Sequence, residues 1–408
     1  MGRLFFMHSH ACVGASGGGH GVEYRLFLAD KKYNYFPDET FYVFGDRVVK
    51  KGDDLGSFLE SKDMPKPSEL RVKIRKFIPS FLRTIKFEKN LDKLSDYIKM
   101  INKTYEFTDD DVFIFHDIKT ANAFYRAFHF KKTVMVYHAQ GSLYNEWSAY
   151  TGLSSKVMKN YFFSLFRDTV SKLKVLAFPS KGAEESLVLS EPELEDVIST
   201  VDREYLYNGI DCPDVTITKK DKWISDLQKS EGYLFATVAV LNTAKSVERI
   251  PIYLGTLKKH GVNFKWILVG NGVQAEAVER SIRDNNLEDC IIWKKEGLPH
   301  EDILKLFSVT DFYILLHKYS IFDLSTLEAM HYGNIPVLTP VGGNKEVIIR
   351  NNGVFVSEFD NTKELEEIMK TDICQIKRTN MEIQKENFDE KSFISRYLEI
   401  YKRLTTAK

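Results

Sequence analysis

The stretch HKYSIFDLSTLEAMHYGNIPVLTPVGGNKEVIIRNNGVFV, residues 317–356, holds the residue types and spacings best suited to chemistry. An apolar run ends at Leu316, a short loop follows, and a helix is expected to start near Asp323 with Glu328 on its second turn. The first turn of a helix leaves amide N–H groups without intrahelical acceptors and carries positive partial charge. The amides of Leu324 and Ser325 therefore offer a seat for a diphosphate. One turn later Glu328 can accept two hydroxyl hydrogen bonds, as a ribose would supply. By spacing alone the same residues also read as an ordinary strand, helix, strand unit with Glu328 in solvent.

A second stretch, CVGASGGGHGVEYRL from Cys12 to Leu26, puts five glycines into eight positions behind the apolar run Leu4 to Met7. Glycine allows positive φ and a close approach of backbone to ligand, so such a turn between strand and helix suits a phosphate. The dinucleotide fingerprint fails at its last glycine, whether started at Gly17 (Val22) or at Gly19 (Tyr24), and no Gly-Lys-Ser/Thr end marks a triphosphate loop. A surface loop without ligand is the plain alternative.

Other candidate groups are weaker. Asp109 to Asp111 in TDDDVFIFH form an Asp-x-Asp pair able to hold a divalent metal and a diphosphate, but they precede their strand, at the end away from a ligand cleft, and read as a solvated strand entry. No metal is expected. His8, His10, His116 and His138 fall at strand ends, where hydrogen-bonded structural roles suit all but His138. Cys12, Cys212, Cys290 and Cys374 are scattered, with no close pair to suggest zinc or a redox couple, as free thiols of a reducing compartment would be.

Around these residues β and α elements alternate almost throughout. Runs such as RLFFMH, TFYVFG, DVFIFH, KTVMVYH and VLAFPS, then YLFATVAVL, FKWILVG, CIIWKK, DFYILLH and IPVLTP, are apolar on both faces and read as parallel strands, about five in each half. Stretches such as AEAVERSIRDNN and HEDILKLFSVT read as helices between them. A polar stretch, Val215 to Gly232, breaks the series and marks a boundary near residue 214. The expected fold is α/β, with two doubly wound domains facing a cleft: residues 1–213, joined by a final helix from 386–408, and residues 214–385. Lys plus Arg and Asp plus Glu both number 57, so no global field draws the chain to nucleic acid. The start MGRLFFMHSH suits neither a signal peptide nor a myristoylation site, and no apolar run approaches the ~20 residues of a spanning helix. A cytoplasmic protein, or one held peripherally on the inner face of a membrane, is expected.

FDLSTLEAMHYGNIPVLTPVGGNKEVI resembles the signature of retaining glycosyltransferases of the GT-B fold, in particular glycosyltransferase family 4. GGGHGVE, VYHAQG (Val136 to Gly141), LYNGIDCPD, AVLNTAKSVE and LVGNG are similar to further motifs of that family in the same order, and FDEKSFISRYLEIYKRL to its final helix crossing back to the first domain. The resemblance implies two Rossmann-like domains and a nucleotide sugar, UDP- or GDP-linked, as co-substrate with no other cofactor. It further implies a glycan or lipid-linked oligosaccharide acceptor, in bacterial surface polysaccharide synthesis, and transfer with retention. By position, Glu328 would hold the ribose, the amides of Leu324 and Ser325 the diphosphate beside Asp323, Lys245 a phosphate oxygen, Gly270 the turn below them, and His138 the donor sugar. Gly18 and Gly19 would let the first domain's backbone close over the diphosphate.

The pattern also breaks. The family's diphosphate Arg aligns with Val240, the first Glu of its two-glutamate motif with Ser320, and its Gly with Asp323. A non-catalytic subunit of the same fold, binding acceptor or a partner enzyme, is the alternative these positions favour. A dehydrogenase using Asp46 on a cofactor ribose is a third. Two cationic and apolar segments, Arg71 to Asn90 and Lys156 to Lys174, fit either an anionic membrane surface or surface helices with an ordinary buried face.

Overall fold

The computed structural model describes residues 2–9, 19–53, 79–138, 142–151 and 153–406, and all structural statements here concern these residues. The chain divides into two compact units, Met1–Tyr207 with Phe393–Lys408, and Asn208–Ser392.

In the first unit the strands are β1 (Leu4–His8), β2 (Thr40–Phe44), β3 (Arg47–Lys50), β4 (Val112–Phe115), β5 (Thr133–Val136), β6 (Val175–Phe178) and β7 (Asp202–Tyr205). They form one sheet in the order β3-β2-β1-β4-β5-β6-β7, parallel except where β3 pairs antiparallel with β2. The apolar runs of the sequence are its inner strands: β1, β2, β4, β5 and β6 are buried at every position, as strands covered on both faces must be. The edges β3 and β7 were not legible as strands, because RVVK and DREY carry exposed charges and pair on one side only. On one face Phe5 stacks between Phe41 and Phe113, with centroids 4.9 and 5.3 Å away. On the other, the last helix, Glu390–Thr406, buries Phe393, Ile394, Tyr397, Ile400, Tyr401 and Leu404 in a core with Leu4, Phe6 and Tyr42, and Tyr401 Oη donates to the Gly2 carbonyl at 2.6 Å.

The second unit repeats the plan with β8 (Tyr233–Val238), β9 (Phe264–Val269), β10 (Ile291–Lys294), β11 (Phe312–Leu315), β12 (Ile335–Leu338) and β13 (Val354–Phe355). The order is β10-β9-β8-β11-β12-β13, all parallel. Polar groups inside it are satisfied in a chain: Trp266 Nε1 donates to Thr237 Oγ1 at 3.0 Å, which donates to the Ile314 carbonyl at 2.7 Å. In each unit the first strand is central and the chain reverses beside it, between β1 and β4 and between β8 and β11. Loops leaving the carboxyl ends at such reversals diverge and leave room for a ligand.

Candidate functional site

At the β8/β11 reversal, Ala239–Lys245 follows β8 and His317–Asp323 follows β11. A backbone contact ties the two loops, the Lys318 amide donating to Ala244 O at 2.9 Å, and within the first loop the Lys245 amide donates to Asn242 Oδ1 at 3.0 Å. The Gly-Gly turn after β12 presses against the second loop, where a Cβ on Gly343 would sit 2.1 Å from the Ile321 carbonyl. Gly270 has a related role. Its φ is +126°, a Cβ there would lie 2.1 Å from Ala239 O, its amide donates to Lys294 O at 3.0 Å, and its carbonyl accepts from Trp293 Nε1 at 2.9 Å. The glycine thus lets the turn after β9 pack on the loop after β8, and its amide is spent on the sheet.

The helix Leu324–His331 starts where expected, with Asp323 as its N-cap. Asp323 Oδ2 accepts from the Thr326 amide at 3.2 Å, Thr326 Oγ1 at 3.1 Å and Ser325 Oγ at 2.7 Å. Lys245 Nζ donates to its other oxygen and lies 3.0 Å from His317 Nε2. Burial would raise the Asp323 carboxyl, but the charge of Lys245 and its hydrogen bond hold it well below the usual carboxylate range. Burial pushes His317 down, so the imidazole is neutral and its Nε2 accepts from the ammonium. Among the described residues no acceptor meets the amides of Leu324 and Ser325. One turn on, Glu328 Oε1 lies 2.9 Å from His300 Nε2, and its side chain is 15% exposed. The corner therefore holds two open amides, one ammonium and a steered carboxylate.

His317 and His300 were missed in the sequence. His317 carried a signal, a polar residue ending the apolar run FYILLH. His300 carried none, since only the packing of helix His300–Phe307 brings it to Glu328.

At the other reversal, β1, β4 and β5 lie side by side; β1 ends in His8, and His116 and His138 follow within two residues of the ends of β4 and β5. His116 Nδ1 and His138 Nε2 are 3.1 Å apart, and the rings are parallel within 9°. Asp117 caps the helix Ile118–Tyr125, accepting from Thr120 N at 2.9 Å and Ser9 N at 2.8 Å, and lies 3.7 Å from His8 Nε2. Burial, then the charge of His8, pushes His138 down to about 3, and burial holds His116 well below the ordinary value. Both rings are neutral at physiological pH. Beside them Glu23 is fully buried with neither carboxyl oxygen bonded; burial and the charge of Asp117 raise its pKa well above the usual range, so it keeps its proton.

Gly18 lies outside the described residues, as does His10, while Gly19 opens the helix Gly19–Tyr33. Asp111 is not a solvated strand entry: it is buried at the amino end of β4, where it accepts from Arg3 Nη2 at 2.6 Å and Thr108 N at 2.8 Å. Val240 is 65% exposed.

Residues 219–387 match the family described as Glycosyl transferases group 1. This part of the chain is similar to the group 1 glycosyltransferase domains. The curated N-acetyl-alpha-D-glucosaminyl L-malate synthase of Bacillus anthracis is 24% identical to the chain over 178 residues, which are 43% of this chain and 43% of that protein. The chain thus matches less than half the length of that relative. Among solved structures, a sucrose-phosphate synthase from Thermosynechococcus elongatus superposes over 100% of both chains with a TM-score of 0.69 at 14% identity. HepE of Anabaena, in complex with UDP and glucose, does so over 98% of this chain and 100% of its own with a TM-score of 0.61 at 16% identity. The fold is GT-B. Within it, the matched part of the chain contains Lys245, His317, Asp323, the two open amides and Glu328.

Proposed function

We propose that the chain transfers a sugar from a nucleotide-sugar donor to a glycan acceptor with retention at the anomeric carbon. The observation that carries this reading is the corner of the second unit: the Leu324 and Ser325 amides and Lys245 stand one helical turn from a steered carboxylate, Glu328. A diphosphate on the amides would direct the attached ribose along the helix toward Glu328. When the sugar leaves, the nucleotide takes up negative charge, and fixed amides with an ammonium aimed at that charge are the largest catalytic contribution such a site can supply. Lys245 and the helix start thereby fill the role a divalent metal fills elsewhere.

The acceptor is proposed to be a lipid-linked glycan met at an anionic membrane surface. Support comes from the helix Ser80–Tyr105, whose start exposes Phe81, Leu82 and Ile85 beside Arg83 and Lys86. In the helix Lys156–Val170, by contrast, Met158, Phe162, Leu165 and Phe166 are buried, as in an ordinary surface helix. Among the described residues no helix is long and apolar enough to cross a membrane.

The test is hydrolysis of a panel of UDP- and GDP-sugars by the purified protein, with the anomer released followed by NMR. Slow hydrolysis giving the donor's own anomer supports a retaining enzyme. Tight nucleotide binding without any turnover, with or without glycan acceptors, supports the non-catalytic subunit that Val240 and Ser320 favour.

A further inference from the structure

The corner that would receive the diphosphate already contains an anion of the protein's own. The Asp323 carboxylate sits at the helix start, takes the amide of Thr326 and the hydroxyls of Ser325 and Thr326, and binds the ammonium of Lys245. Of the side chains bonded to Asp323, Lys245 alone is positive, because His317 is held neutral by burial. Within the Lys245–Asp323 pair the one positive and one negative charge cancel.

A phosphate that reaches the Leu324 and Ser325 amides lands on the residues directly after Asp323, and one that reaches Lys245 shares that ammonium with the carboxylate. At an effective dielectric of about 20, like charges at such separations repel appreciably, and the repulsion is poorly screened where one partner is buried. Resting on the donor site proposed above, we propose that Asp323 is a built-in competitor of the donor's diphosphate: it holds Lys245 in place, and nucleotide binding is an exchange in which the phosphate takes Lys245 from it. Asp323 is therefore an affinity-setting residue of the site. Its presence makes both the donor and the nucleotide diphosphate product bind more weakly than the amides and Lys245 alone would allow, which favours product release.

The sign of the effect makes this testable. Asp323→Asn keeps a good helix N-cap and removes the charge, and Asp323→Ser does the same with a smaller group. Titration calorimetry of the parent protein and both variants with UDP, GDP and inorganic pyrophosphate is expected to show affinity rising about tenfold in each variant. Lys245→Met should cost more affinity in the Asp323→Asn background than in the parent, since only there is the ammonium unshared. Thermal melting checks that each variant is folded. Unchanged or weakened binding in both folded variants, with Glu328→Ala still weakening nucleotide binding, overturns the competitor and leaves Asp323 as a cap or as the group that aims Lys245. Absence of binding by the parent and every variant removes the donor-site reading itself, and the competitor with it.

Discussion

Glu328 accepts a hydrogen bond from His300, and that bond steers where the carboxylate points. If its oxygens hold a ribose diol, Glu328→Ala should weaken nucleotide binding by the ~1–3 kcal/mol typical of charged hydrogen bonds. His300→Ala should cost less than half as much, because it removes only the steering by a side chain that is 66% exposed. Calorimetry on both variants checks the pair. In the first unit, Glu23 has a different signature. Above its ordinary value near 4.5 the unfolded chain releases this proton and the folded chain keeps it, so folding stability falls by about 1.4 kcal/mol per pH unit as pH rises. Glu23→Gln is therefore expected to stabilise the protein by ~1–3 kcal/mol at pH 7 and to change little at pH 4. Urea unfolding at the two pH values measures it. His116 and His138 act in the opposite direction. Their folded pKa values are depressed, so stability is lost as pH drops below their ordinary 6.5 toward about 3 for His138. Summed over these groups, stability rises with pH until the two histidines reach their ordinary value and falls above it through Glu23, so the first unit should be most stable near pH 6.5, and His138→Asn should flatten the acid limb by about one proton.

Two turns position the donor corner through backbone contact rather than side chains. Gly343 meets the Ile321 carbonyl and Gly270 the Ala239 carbonyl at distances where a Cβ would be 2.1 Å from oxygen, so any side chain there must push a loop aside. Gly343→Ala is expected to destabilise the second unit by ~1–3 kcal/mol and to reduce nucleotide affinity, since the displaced loop leads directly into Asp323 and the open amides. Denaturation and binding measured on the same variant should move together. Normal affinity in a destabilised Gly343→Ala would show that the turn supports the fold alone. These glycines were visible in the sequence as turn residues. What they approach was not, because Ala239 and Gly270, or Ile321 and Gly343, come together only when separate βα loops gather at one edge of a sheet.

Each unit owns a core, so a nucleotide bound to one should stabilise that one. At a concentration of 100 Kd the gain is about 2.7 kcal/mol. In calorimetric melting, UDP or GDP is expected to raise the transition of the unit containing residues 208–392 and to leave the other in place; equal shifts in both would mean the units melt as one. The first unit is completed from the far end of the chain, by the six buried side chains between Phe393 and Leu404. Ending the chain at Ser392 should expose the face of the sheet they cover, and the loss of several large side chains at ~1.5–3 kcal/mol each exceeds the stability of a typical domain.

The order of strands and helices, the start of the helix at Asp323 and the GT-B resemblance were all determined by local pattern: continuous apolar runs in strands buried on both faces, an N-cap before a helical period, and motifs in sequence order. The edge strands β3, β7 and β13 escaped because a strand paired on one side needs no apolar pattern, whereas the edge strand β10 was legible in CIIWKK. The charge state of the site was decided only in three dimensions. Lys245 and Asp323 are 78 residues apart, and His300 and Glu328 are 28 apart. The sequence shows each as a chargeable residue near a motif, whereas whether an ammonium is free for a phosphate or bound to a carboxylate depends on which loops the sheet brings to the same reversal. Burial belongs to the same category. Nothing in VEYRL distinguishes Glu23 from a solvated helix glutamate; the covering of that helix face by the sheet and by Tyr397 from the end of the chain is what keeps its proton on.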